Sequence, residues 1–133
     1  MSLIVFWPFR KENKGFASFS DVIMQVVPRR ELEFYHSFAA LFTRLRLPLF
    51  NVQVIILAPE NMADLAEIML LKDMLQDRQV IFILPEEAEE GEMVAKAHTL
   101  RPRLLIWRDS GLSSLAGVLQ RMLHTGSDGR DHG

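Results

Sequence analysis

The chain has no cysteine, which excludes disulfides, thiolate zinc sites, iron–sulfur clusters and cysteine nucleophiles together. That absence fits a reducing compartment, and a cytoplasmic location is expected. No apolar run approaches the roughly 20 residues needed to span a bilayer, so no membrane partner is expected. Charge of neither sign dominates. Fifteen Lys and Arg stand against 17 Asp and Glu, for a net charge of −2 and a pI near 6.1. Nothing in that balance calls for nucleic acid. Histidine is scarce as well. His36, His98, His124 and His132 have no metal-like spacing, and each reads as a surface or strand-end residue with no metal implied. The opening, MSLIVFWPFRKENK, puts its apolar residues before its charges, the reverse of a secretory signal.

What is there fits one domain. The 133 residues (15.3 kDa) are 49% hydrophobic and 24% charged, enough to bury roughly two thirds of the unfolded surface. Short apolar runs rich in Val, Ile, Leu or aromatic residues predict strands at Leu3–Trp7, Glu31–Tyr35, Val52–Leu57, Val80–Leu84 and Leu104–Trp107. The second alternates Glu31 and Glu33 with Leu32 and Phe34, as an edge strand with one wet face would. Helical patterns fall between them. Phe19–Val27 is expected to be helical with Ser20 as its N-cap, and Ser37 is expected to cap a helix carrying Phe38, Leu41, Phe42 and Leu45. Residues 62–77, 87–100 and 111–123 complete the set, the last capped by Asp109 or Ser110. Five β-α units joined by right-handed crossovers predict a three-layer α/β sandwich of flavodoxin-like type. Its five-stranded parallel sheet would have the order 2-1-3-4-5. One domain is expected over 1–124, with the Gly-rich end, 125–133, as a disordered tail or the start of a linker.

In such sheets chemistry sits just past the carboxyl ends of the strands. The stretch NVQVIILAPENM therefore poses a question, because Leu57, Ala58 and Pro59 can neither hold a metal nor move a proton. No pair of titratable groups is placed for catalysis, so an enzyme is not expected. Ser110, Ser113 and Ser114 lack any evident base or acid to activate them.

In ELEFYHSFAALFTRLRLPLFNVQVIIL and RLLIWRDSGLSSLAGVLQRML the chain resembles the receiver domain of bacterial two-component response regulators. The resemblance spans about 1–124 and rests on the order and spacing of elements. It implies a phosphoacceptor Asp ending strand 3, an acidic pair after strand 1, a Thr or Ser ending strand 4 and a Lys ending strand 5. Carried over, the phosphoacceptor position is Ala58 and the hydroxyl position is Leu84. The acidic pair falls within Phe6, Trp7, Pro8 and Phe9, and the Lys position holds Arg108. The resemblance thus implies a pseudo-receiver, not phosphorylated on Asp, acting in signalling through protein–protein contact and needing no cofactor. Receivers commonly dimerise through helix 4, strand 5 and helix 5, which implies 86–123 as the contact surface here.

Two features remain. The loop FRKENKGFASFS (9–20) gathers Arg10, Lys11, Lys14 and Ser18, and the alternative function is a small anion- or nucleotide-binding domain using it. Its order is wrong for a P-loop, which needs Lys after the second Gly. The third helix spreads Met62, Leu65, Ile68, Met69, Leu70, Leu71, Met74 and Leu75 well beyond one face. That pattern suits either a helix wedged between neighbours or a surface for a second subunit. Met69, Met74, Trp107 and Arg108 are the interface candidates, and a homodimer is expected.

Overall fold

A computed structural model describes residues 2–8, 16–85, 91–108 and 111–128, the last five of these through their backbone alone. Its strands are β1 (Ser2–Phe6), β2 (Leu32–Tyr35), β3 (Val52–Leu57), β4 (Gln79–Leu84) and β5 (Leu104–Trp107). All neighbours pair in parallel, in the order β2-β1-β3-β4-β5. The helices are α1 (Phe16–Met24), α2 (Phe38–Leu45), α3 (Met62–Met69), α4 (Lys72–Leu75), α5 (Glu92–His98) and α6 (Leu112–Asp128). The predicted class, strand number and order are those observed.

The unbroken apolar runs follow from burial on both faces. Ile4, Phe6, Ile55, Leu57, Val80, Phe82 and Leu84 face one core, with α2, α3, α4 and α5 over it. Leu3, Val5, Trp7, Val54, Ile56, Ile81 and Ile83 face the other, with α1 and α6 over it. Gln53, the one polar residue of β3, has a structural cause. The β1–β3 register steps from Ser2↔Val52 to Leu3↔Val54, so Gln53 is an extra residue, a bulge. The bulge sends Val52 into one core and Val54 into the other.

Several boundaries depart from expectation. β2 begins after a 3₁₀ turn at Arg29–Glu31, so Glu31 is outside the strand. The first helix starts at Phe16, three residues early, and Ser20 is a mid-helix residue with no capping role. The reason is aromatic: Phe16 and Phe19, on successive positions of one face, both pack on Trp7. Ser37 caps α2 as predicted, its Oγ accepting from Ala40 N at 3.2 Å. The fourth expected helix is described from Glu92, while 86–90, where it was expected to begin, lies outside the described residues. The last helix runs on to Asp128, past its expected end. Asp109 and Ser110, its expected caps, lie outside the described residues, as do residues 129–133 of the expected tail.

The expected single helix over 62–77 is two helices. Leu70 N and Leu71 N bond back three residues, to Glu67 O and Ile68 O, and this tightening ends α3. The turn buries Leu71 beside Leu65, Ile68 and Leu75 and leaves Leu70 77% exposed. Met62, Met69 and Met74 are half-buried, so most of the surplus apolar face is spent inside the domain.

Candidate functional site

The carboxyl edge of the sheet is where an open α/β fold presents its chemistry. The ladder continues one residue past the strands there. Ala58 N donates to Phe6 O at 2.9 Å, Trp7 N to Tyr35 O at 3.0 Å and Arg108 N to Leu84 O at 2.7 Å. These bonds hold the edge residues in register with the sheet. Ala58, at the expected phosphoacceptor position, is 4% exposed, and Leu84 is fully buried. Phe6 and Trp7, where an acidic pair was sought, are core residues on opposite faces, and Pro8 is buried. Phe9 lies outside the described residues.

Above β1 and β2 the edge is aromatic. Trp7 stacks on Phe19 with centroids 4.8 Å apart and meets Phe16 edge-on at 5.6 Å. Phe16 also meets Phe34 and His36, each at 5.6 Å and near perpendicular. His36 Nδ1 lies 2.9 Å from Trp7 O. A carbonyl only accepts, so this nitrogen carries the proton. His36 is thereby a strand-end residue tying β2 to β1.

One charged pair occupies the edge above β3 and β5, and sequence reasoning missed half of it. Arg108 Nη1 lies 4.0 Å from Glu60 Oε2, with side-chain exposures of 13% and 17%. Arg108 Nε is buried with no hydrogen-bond partner. Glu60 is held from behind. Its N–H donates to Asp64 Oδ2 at 2.9 Å, while Asp64 N donates to Asn61 Oδ1 at 2.9 Å. Asn61 caps α3, and Asp64, 2% exposed, uses its carboxylate to pin the loop. Glu60 lies one residue beyond Leu57, Ala58 and Pro59, the stretch that strand spacing marks as the edge. The usable signal was the polar cluster PENMAD, an N-cap motif that turns Glu60 back over the edge.

The other candidates are dispersed. Ser18 is exposed on α1, whereas Arg10, Lys11 and Lys14 lie outside the described residues. Trp107 is half-buried against the core under α5. Met69 accepts a long contact from Thr99 Oγ1 at 3.8 Å, which places it in the α3–α5 seam. Met74 packs on the same core. His98 is exposed at the end of α5. Among the described residues no group of three or more His, Asp or Glu could hold a metal ion, and no helix is long and apolar enough to cross a membrane.

No family profile and no curated protein matches the chain. Solved structures do. A response regulator from Thermotoga maritima is 11% identical, with a TM-score of 0.59 over 93% of this chain and 98% of that one. A "Putative pilus assembly-related protein" from Burkholderia pseudomallei is 12% identical, with a TM-score of 0.61 over 92% of this chain and 89% of that one. The chain is thus similar in fold, along nearly its whole length, to response-regulator receivers.

Proposed function

We propose that this chain is a pseudo-receiver: a signalling module on a receiver-like fold that is not phosphorylated on Asp, is not an enzyme and acts by protein–protein contact in the cytoplasm. The observation that carries the reading is Ala58. It is buried at the end of β3, flush with the sheet and bonded through its N–H to Phe6 O. Phosphoryl transfer of the receiver type needs carboxylates around a divalent cation to hold charge while the bond forms. The edge residues of β1 are committed to the two cores, and Glu60 faces Arg108. The neighbour described as pilus assembly-related offers one setting for such a module.

Incubation with Mg²⁺ and acetyl phosphate, followed by intact-mass measurement, tests the reading. An unchanged mass is expected. A stoichiometric gain of one phosphoryl group, at Glu60 or elsewhere, would overturn it.

A further inference from the structure

Among the described residues, two that are not glycine have left-handed backbone: Asp77 (φ 65°) and Arg101 (φ 53°). Each follows a helix at the amino edge of the sheet, Asp77 between α4 and β4 and Arg101 between α5 and β5. Glycine takes this conformation freely, and Asp tolerates it. Arg does so at a cost, with no short side chain to bond locally. Both residues line one cleft of about 680 Å³, together with Lys72, Arg78 and Thr99. That volume lies in the usual range for small-molecule sites.

The cleft concentrates positive charge on a chain whose net charge is −2. Lys72, Arg78 and Arg101 line it, against the single carboxylate of Asp77. None of the three cations forms an ion pair among the described residues. Arg78 reaches a neutral partner, Leu49 O, at 3.4 Å. Three helix-end carbonyls at this edge each accept a backbone bond: Leu75 O from Arg78 N, Ala97 O from Leu100 N and His98 O from Arg101 N. Helices of four and seven residues add little dipole of their own. Thr99 lines the cleft with its hydroxyl already donated to Lys96 O at 2.6 Å, and Leu75 and Leu100 give the cleft an apolar wall.

We infer that this cleft binds a small phosphorylated anion of about nucleotide size, with the guanidinium groups of Arg78 and Arg101 and the Lys72 ammonium on its phosphates. The site lies on the opposite edge of the sheet from Ala58 and Arg108 and is independent of the pseudo-receiver reading.

Calorimetric titration of the full chain at low salt, with ADP and separately with pyrophosphate, tests it. A saturable one-to-one isotherm is expected with ADP. A weaker one with pyrophosphate would show that the nucleoside end also contributes, and equal affinities would assign the site to phosphate alone. Arg101→Gly removes the cation and places glycine where the backbone favours it. It should therefore melt no lower than the parent while binding about tenfold more weakly, the order of one lost charge-assisted contact. Lys72→Ala, at an exposed position, should weaken binding in the same direction. Asp77→Gly should strengthen it. Absence of saturable binding to either probe at millimolar concentration would overturn the inference. So would binding that survives Arg101→Gly and Lys72→Ala, or that is lost in Lys14→Ala instead.

Discussion

Arg108 and Glu60 face each other across the carboxyl edge at 4.0 Å, the outer limit of an ion pair, with Arg108 Nε buried and unpartnered. A pair held so loosely contributes little, because desolvation of the guanidinium offsets the attraction. Arg108→Met keeps the apolar stem and removes the unpaired donor. It should change the urea-unfolding free energy by no more than about 1 kcal/mol. A loss of several kcal/mol would show a tighter pair than this separation implies.

The edge strand carries a stronger contact. Glu33 Oε1 accepts from Arg44 Nε and from Tyr35 Oη, each at 2.6 Å, and Arg44 Nη2 reaches Glu33 Oε2 at 3.3 Å. Burial works against ionisation of Glu33, but the hydrogen bonds from Arg44 and Tyr35 and the Arg44 charge outweigh it. The carboxyl is left below its ordinary 4.5. Burial, then the hydrogen bond and charge of Glu33, push Tyr35 from 10.0 up to about 12. A depressed carboxyl stabilises the fold above about pH 4.5 and loses that effect as pH falls through its lowered value. A raised phenol stabilises below pH 10 and loses that effect as pH rises through about 12. Stability should be level between these limits and decline beyond both. In Arg44→Met the acid-side decline should shrink, with a loss at neutral pH of about 1 kcal/mol or less for a pair that keeps part of its surface in water. Urea midpoints measured across the pH range check both signs.

Two glycines should respond in opposite directions. A Cβ on Gly111 would lie 2.7 Å from Ile106 Cβ and 2.9 Å from Trp107 O. Both belong to β5, which pairing with β4 holds in place. Gly111→Ala should therefore cost about 1–3 kcal/mol. Gly117 lies within α6 with nothing inside 4 Å of its added Cβ. Gly117→Ala should stabilise by about 0.5–1 kcal/mol, the ordinary helix preference of Ala over Gly. Thermal and urea unfolding of the two variants decide the matter, and a stable Gly111→Ala would mean that the β5–α6 turn can shift.

The clamp beneath Glu60 should be costly to break. Asn61→Ala removes the α3 cap at about 1 kcal/mol. Asp64→Ala should cost more, about 1–3 kcal/mol, because it strands the part-buried Glu60 N–H. Equal losses in the two variants would show that Asp64 adds nothing beyond filling space.

Self-association is the remaining expectation. The burial of Leu65 and Ile68 in α3, and of Leu71 and Leu75 in the turn and α4 after it, leaves this segment with little apolar surface to offer. The proposed contact is therefore α5, β5 and α6. Sedimentation equilibrium at micromolar concentration should show a dimer that persists in Leu70→Ser. A clean 15.3 kDa monomer at high concentration would refute it.

The strands were legible because a two-sided core leaves an unmistakable run of Val, Ile and Leu, as in Val54–Leu57. The helix limits were less so. Ser20 has the chemistry of a cap, yet stacking of Phe16 and Phe19 on Trp7 decides where α1 begins, and that contact joins parts of the chain no local pattern relates. The break after Met69 was hidden for a similar reason, since MLL reads as one continuous apolar face until the core it packs against is known. Of the site, Ala58, Leu84 and Arg108 were found by counting along strands. Glu60 was not, because its place over the edge is set by the Asn61–Asp64 cap and not by strand spacing.

The order of the sheet bears on how the chain reaches it. β1 lies between β2 and β3, and Leu3 pairs with Val54, about fifty positions later. The sheet therefore cannot close its middle by local hairpins. β1 can gather only β2 until β3 arrives, and one side of a nearly all-apolar strand waits unpaired meanwhile. Closure of so long a loop comes before its contacts can stabilise it, which slows folding and exposes a sticky edge. The segment most at risk of mispairing during folding is thus Leu3–Phe6, the same segment that ends as the best-covered strand of the finished domain.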